Sequence, residues 1–224
     1  MDCDHNHWGY LMKITALTIV TALAVGAALP ASAQTAKAIP GDYLQLTLGS
    51  GVAGKTKVSL SGVGSDSADL DAGPFGAVAG GRSFASGLAV EAEALYLKND
   101  IDTGALDGLV GAPLDASVKT YGVMVNMHYA AAAVGPLTAS IGAGVGYGAS
   151  KYSLLGESDS ANGFMWQLIG GFSYPVTEKF SWDAKYRYVR GPKLDGSVSD
   201  GVTTYRYDVR TSAHVVAFGG RMKF

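Results

Sequence analysis

The 224-residue sequence predicts an all-β fold, namely an eight-stranded antiparallel transmembrane up-and-down β-barrel. Apolar residues alternate with polar ones over segments of about 9–11 residues, the length that a tilted strand needs to cross a bilayer. Aromatic residues gather towards the ends of these segments, as in the interfacial girdles of membrane barrels. The connections alternate between tight turns and long, polar, acidic loops, as periplasmic turns and extracellular loops do.

The N-terminal residues 1–33 are predicted to be a secretory signal peptide. An apolar run extends from Ile14 to Leu29 and is followed by the small-residue site Ala31-Ser32-Ala33. Because the run is short and ends in a processing site, we expect cleavage after Ala33 rather than a membrane anchor. The mature domain is then expected to be 34–224.

Residues 1–11 are expected to be a mis-assigned start that precedes a true first residue at Met12. Asp2 and Asp4 lie where a signal peptide carries positive charge. The segment also contains three potential metal ligands, Cys3, His5 and His7. We interpret them as an accidental grouping, because the segment is expected to be absent from the mature chain.

The composition of the mature domain excludes two classes of protein. Cys3 is the only cysteine, so the domain has no disulfide framework. The full chain has 17 basic and 19 acidic residues, and loss of Lys13, Asp2 and Asp4 leaves a net charge of about −1. A nearly neutral chain does not indicate a nucleic-acid partner. The length suits a single domain.

The segment Gly49–Thr56, GSGVAGKT, matches the phosphate-binding loop of nucleotide-binding proteins. Such a loop needs a strand before it and a helix that begins at the lysine. The strand is present in DYLQLTL, but the residues after the motif are rich in Ser, Gly and Asp, which are poor in helix interiors. We therefore expect no bound nucleotide. The motif is predicted to span the end of the first strand and its loop, with Lys55 facing solvent or lipid head groups.

Alternation places the eight predicted strands in order along the chain. Their ranges are 42–50, 74–84, 88–98, 118–130, 137–149, 163–174, 180–190 and 204–224, and the last is expected to project beyond the bilayer. The pattern is clearest in FSWDAKYRY, where aromatic residues and Ala184 share one face while Asp183, Lys185 and Arg187 share the other. A soluble sandwich would also alternate. The aromatic girdles, the rhythm of the connections and the final aromatic Phe224 favour the barrel.

Three long stretches carry a resemblance to a known family: VMVNMHYAAAAVGPLTASIGAGVGYG, WQLIGGFSYPVTEKFSWDAKYRYV and YRYDVRTSAHVVAFGGRMKF. Residues 40–224 resemble the OmpA-like and opacity-type eight-stranded outer-membrane barrels. The resemblance implies that Phe224 is recognised by the barrel-assembly machinery. We expect a bacterial outer-membrane location and contact with lipopolysaccharide. We also expect a structural, non-enzymatic surface protein without a cofactor, whose loops serve envelope integrity, adhesion or host contact, because loops on a fixed scaffold are where recognition occurs.

The inward face is predicted to carry ten polar and charged side chains. They are Arg82, Glu91, Glu93, Asn126, His128, Gln167, Asp183, Lys185, Arg187 and Arg221. Both signs of charge are present, so we expect a paired plug, with the glycines of 137–149 making room for long arginines. A water-filled passage for small ions is the alternative, because unpaired charges would recruit water.

A lipid-modifying enzyme is the third hypothesis. Ser212 and His214 lie two residues apart on one strand face, and Asp208 lies on the same face. These residue types could supply the hydroxyl, the base and the orienting carboxylate of nucleophilic catalysis. However, His214 is expected on the outward face near the outer interface. The other histidine of the mature domain, His128, is interpreted as an inward polar filler. We therefore predict no catalytic residues.

An acidic cluster in the first predicted loop suggests calcium. Asp66, Asp69 and Asp71 precede Gly73 and offer the hard oxygen ligands that Ca²⁺ prefers. The distal glutamate of the helix–loop–helix pattern is missing, so we predict no specific metal site. Diffuse binding of divalent ions among anionic lipopolysaccharide is expected instead.

Overall fold

The computed structural model describes residues 40–61, 64–102, 116–154, 157–199 and 204–224. The predicted signal peptide and the grouping of Cys3, His5 and His7 lie outside the described residues. Within the described ranges, no helix has the length and hydropathy of a membrane span.

The described chain forms nine β-strands in one antiparallel sheet. They are β1 (Gly41–Leu60), β2 (Gly64–Leu70), β3 (Gly73–Ser83), β4 (Leu88–Asp100), β5 (Ala116–Val134), β6 (Leu137–Leu154), β7 (Glu157–Pro175), β8 (Phe180–Ser199) and β9 (Thr204–Lys223). From β3 to β9 each strand pairs with the next along the chain, and β1 pairs with β9. That pairing closes the sheet into a barrel.

The strands β2 and β3 share one position in the ring. β3 pairs with Gly41–Gly51 of β1, whereas β2 pairs with Gly54–Leu60 of the same strand. Only Asp71 and Ala72 separate β2 from β3, so the two strands follow one side of β1 in succession. The ring therefore has eight positions, and the predicted eight-stranded barrel is confirmed.

Most strands are longer than the alternation predicted. β1 has 20 residues instead of the predicted nine, and β8 has 20 instead of 11, whereas β9 has 20 and a predicted 21. Because about 9–11 residues suffice to cross a bilayer, about half of each long strand lies beyond it. The projection expected for the last strand is therefore shared by the other long strands. Strand pairing continues through much of the segments that were predicted to be loops.

The side chains have the inside-out orientation of a membrane barrel. Trp182 is 57% and Phe218 66% exposed on the outer surface, whereas Lys185 and Arg187 are 5% and 0% exposed. Along β4 the burial alternates at every residue from Leu88 to Leu95. Large apolar side chains thus face lipid, and charged ones are enclosed.

The phosphate-loop match is part of a strand. Gly49 pairs with Phe75 of β3 and Ala217 of β9, so β1 has neighbours on both sides at this point. The backbone N–H groups of such a strand are used in the sheet and do not wrap a phosphate. Lys55 faces outward, as expected, and its Nζ lies 3.9 Å from the Asp69 carboxylate. The prediction that a loop begins in this segment was wrong.

Candidate functional site: the barrel interior

The inward side chains form three layers, which we name from the short-turn end of the barrel to the long-loop end. The charged layer contains Tyr43, Gln45, Glu91, Glu93, Asn126, His128, Gln167, Asp183, Lys185, Arg187 and Arg221. The apolar layer contains Phe75, Ala77, Leu95, Leu97, Met124, Met165, Val189, Ala213, Val215 and Ala217. The hydroxyl layer contains Thr56, Thr120, Ser150, Tyr152 and Thr211.

Arg187 and Glu93 lie at the centre of the charged layer. The Nη1 atom of Arg187 is 2.7 Å from Oε1 of Glu93 and donates to the Gln167 side-chain oxygen at 3.2 Å. Gln167 Nε2 in turn donates to Glu93 and to Asn126 Oδ1, both at 2.8 Å. Four strands, β4, β5, β7 and β8, are therefore joined through side chains that cross the interior.

Glu91 is the second centre of the charged layer. It accepts hydrogen bonds from Asn126 Nδ2 at 3.0 Å and from the Tyr43 hydroxyl at 2.9 Å. His128 Nε2 lies 3.0 Å from the same carboxylate, so His128 is the inward polar side chain that was predicted. Because Asn126 also accepts from Gln167, the two acidic centres belong to one network.

The basic side chains nearest the short turns are also paired. Arg221 Nη2 lies 3.1 Å from the Asp183 carboxylate, and the guanidinium stacks 4.7 Å from the centre of the Tyr43 ring. Lys185 Nζ donates to Gln45 Oε1 at 2.9 Å. Each buried cation therefore has a counter-charge or a hydrogen-bond acceptor, as burial of a charge requires.

Some polar atoms of the network have no hydrogen-bond partner among the described residues. They are Glu93 Oε2, His128 Nε2, Asp183 Oδ1 and Oδ2, Arg187 Nε and Nη2, and Arg221 Nε. For His128 Nε2 and Asp183 Oδ2 the nearest opposite charge is at ion-pair distance without hydrogen-bond alignment. Unpartnered buried polar atoms commonly bind water. They are therefore the feature of the structure that most favours a hydrated barrel interior.

The apolar layer lies above the charged layer and fills the cross-section. Met165, Val215 and Ala217 are each 0% exposed, and Arg187 stacks 5.1 Å from the centre of the Phe75 ring where the two layers meet. Side chains without accessible surface border no space large enough for a water molecule. The interior at this level is packed.

The inward glycines of β6 give the network its room. A Cβ at Gly144 would overlap the side-chain oxygen of Asn126, and one at Gly148 would overlap the sulfur of Met165. The prediction that these glycines make room for large side chains was right. The prediction that arginines fill this space was wrong, because amide and methionine side chains fill it. Each glycine accommodates a neighbour on the adjacent strand.

The hydroxyl layer lies towards the long-loop end. The Thr120 and Ser150 hydroxyls are 2.8 Å apart, and the Tyr152 hydroxyl is 2.9 Å from that of Thr211. Burial raises the pKa of the Tyr152 phenol above its ordinary value, against the lowering effect of its hydrogen bonds. The phenol therefore stays protonated at neutral pH and remains available as a donor.

The inward set was predicted correctly except for Arg82. Gly81 is the inward residue of β3 at this level, since a Cβ there would meet Tyr43 and Glu91. Arg82 consequently faces outward and its Nε donates to Asp42 at 2.6 Å. Both faces of β3 carry small or apolar residues, so the sequence does not show which residues of this strand face inward. Tyr43 and Gln45 were missed, although they alternate with leucines in DYLQLTL.

The residues of the enzyme hypothesis share the outward face of β9 but have other partners. The Tyr186 hydroxyl and His214 Nδ1 are joined by a short hydrogen bond, and the His214 ring also lies against Tyr188. Asp208 accepts from Arg210 Nε at 3.1 Å. The outward position of His214 agrees with the expectation. The contacts of its ring are those of an interfacial aromatic cluster.

Of the aspartates of the calcium hypothesis, Asp69 lies on β2 and has a basic partner. Its carboxylate is 3.9 Å from Lys55 Nζ. Within the part of the chain that the structure describes, no group of three or more His, Cys, Asp or Glu residues is arranged to hold a metal ion.

A closed antiparallel ring of eight positions, with an apolar exterior and a charged interior, defines a transmembrane β-barrel. A family model described as the outer membrane protein beta-barrel domain matches residues 19–221. The chain belongs to this family. The protein is therefore located in the bacterial outer membrane, as the sequence predicted.

Solved structures of the same fold include three surface or outer-membrane proteins. Neisserial surface protein A (NspA) is 22% identical, with 82% of this chain and 97% of that chain covered and a TM-score of 0.47. OprG from Pseudomonas aeruginosa is 15% identical, with 82% and 97% covered and a TM-score of 0.47. Ail of Yersinia pestis is 17% identical, with 82% and 100% covered and a TM-score of 0.40. At these identities the likeness concerns the fold alone, and no curated protein matches the chain.

Proposed function

We propose that the protein is a non-conducting structural barrel of the outer membrane that presents its loops at the cell surface. The observation that carries the proposal is the packing of the interior. Side chains of the charged layer (Asn126, Gln167, Arg187) and of the apolar layer (Met165, Val215, Ala217) are all 0% exposed. A water-filled passage would leave accessible surface on the side chains that line it.

The strands beyond the bilayer support a role at the surface. β8 and β9 stay paired from the short turn as far as Ser199 and Thr204, and β6 and β7 as far as Leu154 and Glu157. A rigid extension of this kind holds connecting loops clear of the lipid, and loops on a fixed scaffold are where recognition occurs. The loop ligand we propose is a host or surface molecule. Adhesion and envelope integrity are the corresponding roles.

We propose no enzymatic role and no cofactor. The network around His214 joins it to tyrosines rather than to Ser212, so a hydroxyl nucleophile lacks its base. Cells that produce the parent protein and cells that produce His214→Ala are expected to contain identical lipid A. Deacylated lipid A that depends on His214 would contradict this proposal.

Conductance in planar bilayers tests the closed interior. The purified, refolded protein is expected to give no steady conductance steps. As a positive control, a variant with Arg187→Ala and Met165→Ala removes one large side chain from each layer, and it is expected to conduct. Reproducible steps from the parent protein would show that the interior is open.

A narrow passage for small ions is the second candidate. The atoms that favour it are the unpartnered donors and acceptors of the charged layer, notably Arg187 Nη2 and Glu93 Oε2. If these atoms are hydrated, parent conductance should be small and ion-selective, and it should change when Glu93 is replaced by Gln. The same recordings therefore separate the two candidates.

A further inference from the structure

Three lysines lie side by side on the outward surface of β4, β5 and β6. The strand register pairs Lys98 with Lys119, and Lys119 with Lys151. Neighbouring strands are about 4.8 Å apart, so the three stems lie within about 10 Å of one another. Like charges directly opposite each other destabilise a sheet. We name these residues the lysine row.

The lysine row has an excess of positive charge. Elsewhere on the barrel Lys55 pairs with Asp69 at 3.9 Å, and Arg210 pairs with Asp208 at 3.1 Å. In the lysine row only Lys98 has a carboxylate, that of Asp100 at 3.1 Å. Among the described residues, Lys119 and Lys151 form no ion pair. The row therefore favours an external anion.

The depth of the lysine row is given by the tyrosines beside it. Tyr96 and Tyr121 pair in the register one outward position closer to the membrane, and their ring centres are 5.2 Å apart. Tyr147 extends this aromatic group onto β6 and is exposed. Aromatic residues of barrels lie at the membrane interface. The lysine row is consequently at the level of the lipid head groups, on the long-loop side.

An apolar groove extends across β1, β3, β4, β5 and β6 on the membrane side of Tyr96 and Tyr121, and Tyr147 is part of its lining. Its floor contains the small residues Gly80, Ala92 and Ala94, and larger side chains such as Leu44 and Val125 line it. Its volume is about 710 Å³, within the range of small-molecule sites in proteins. Because the groove faces the bilayer, the molecule available to fill it is a lipid chain.

We propose that β3, β4, β5 and β6 bind one phosphorylated glycolipid of the outer leaflet, that is, one lipopolysaccharide molecule. An acyl chain lies in the groove, the tyrosines contact the sugar level, and phosphate binds Lys119 and Lys151. The proposed lipid site rests on the proposed structural role in the lipid layer, but not on the closed interior. A negative result in the lipid-binding assay would therefore contradict the lipid site alone, whereas conductance by the parent would contradict the closed interior alone.

Native mass spectrometry in detergent tests the site with purified lipid A as the probe. The parent barrel is expected to retain one molecule of diphosphorylated lipid A. A variant with Lys119→Gln and Lys151→Gln is expected to bind about thirtyfold more weakly, since each basic residue near a charged surface contributes about a fivefold effect. Dephosphorylated lipid A should bind the parent as weakly as diphosphorylated lipid A binds the variant.

The matched control removes the same charge elsewhere. Lys55→Gln with Lys193→Gln changes two outward lysines that each have a carboxylate partner, Asp69 for Lys55 and Asp195 for Lys193. Its lipid A affinity is expected to equal that of the parent. An equal loss of lipid A affinity in both double variants would show that only net charge matters and would overturn the proposal. Equal affinity of the parent for dephosphorylated and diphosphorylated lipid A would also overturn it. Heat-modifiable mobility in SDS gels verifies that every variant is folded.

The groove has its own test. Ala94→Trp fills the groove while it leaves the lysine row intact, and it is expected to weaken lipid A binding at least tenfold. Inositol hexakisphosphate, which has phosphates but no acyl chain, should not bind the parent measurably. If it binds as tightly as lipid A, the row is a site for soluble polyanions. Phosphatidylglycerol bound as tightly as lipid A would likewise exclude a glycolipid site.

Discussion

Arg187 and Glu93 face each other across the full width of the barrel, with 2.7 Å between Nη1 and Oε1. The strands that contain them, β8 and β4, are four positions apart in a ring of eight, which is the largest separation possible. Both side chains are essentially without exposed surface. The pair therefore links two opposite sides of the barrel in a medium where an unpaired charge is costly.

We expect Arg187→Met to destabilise the barrel strongly. The substitution leaves the Glu93 carboxylate buried without its counter-charge, which typically costs about 3–5 kcal/mol of the free energy of unfolding. Urea unfolding of the protein refolded into lipid vesicles, followed by tryptophan fluorescence, measures the change. The double variant Arg187→Met with Glu93→Met should recover most of the loss, because it removes both charges.

Arg82→Ala is the matched control for this prediction. Arg82 also pairs with a carboxylate, that of Asp42 at 2.6 Å, but both groups are exposed at the short-turn end of the barrel. Its removal is expected to change the free energy of unfolding little, because water solvates the charge that remains. Equal effects of Arg82→Ala and Arg187→Met would show that the interior is as hydrated as the surface.

A second prediction concerns the inward glycines. Gly144→Ala should destabilise the barrel by about 1–3 kcal/mol, since the new Cβ overlaps Asn126 and must displace the network around Glu91. Gly170→Ala on β7 is the control: a Cβ there meets nothing within 4 Å, and stability should be unchanged. The same vesicle unfolding assay compares them. Equal stabilities would mean that the charged layer has spare volume.

The sequence predicts most of the fold because the membrane imposes a strict pattern. Where a strand crosses lipid, every second residue is apolar, and the predicted and observed parities agree on β4 to β9. Strand order and closure follow from the count of strands and the short turns. The alternation in FSWDAKYRY accordingly predicts that its charged residues lie inside the barrel.

Beyond the bilayer no lipid requires alternate residues to be apolar, and the strand ends predicted from the alternation are wrong there. In GKTKVSL of β1 both faces meet water or polar neighbours, so the alternation that indicates a strand is replaced by a composition typical of loops. A bulge between Gly51 and Ala53 also shifts the register of β1 against β9. The network contacts were unpredictable for another reason, since the partner of an inward side chain often lies across the barrel, as Glu93 does for Arg187.

The boundary between the lipid-facing and the extramembrane parts of β1 can be located by arginine substitution. Leu46 is 56% exposed at the middle of the apolar band, and Leu46→Arg is expected to cost about 2–4 kcal/mol. Ser59 faces the same side near the far end of β1, and Ser59→Arg should have little effect because it lies in water. Unfolding in vesicles provides both values. A large cost at Ser59 would place the upper half of β1 within the membrane and contradict the proposed surface extension.

The last prediction separates stability from assembly. The Phe224 side chain is 74% exposed, and its backbone N–H donates to the Asp42 carbonyl at 3.1 Å, a bond that does not need the ring. Phe224→Ala should therefore leave the stability of the purified barrel nearly unchanged. If the aromatic ring is read by the barrel-assembly machinery, as we propose, the same variant should reduce the amount of folded protein in the outer membrane of cells.

Phe218→Ala is the control for the assembly prediction, since it removes a similarly exposed phenylalanine from the outward face of β9, the strand that Phe224 follows. Heat-modifiable mobility of membrane fractions reports the folded fraction for both variants, and refolding of purified protein into vesicles reports their intrinsic folding. A machinery-specific role predicts a cellular defect for Phe224→Ala alone, with normal refolding in vitro. Equal cellular levels of the two variants would assign Phe224 to lipid contact only, since lipid contact is what both rings share.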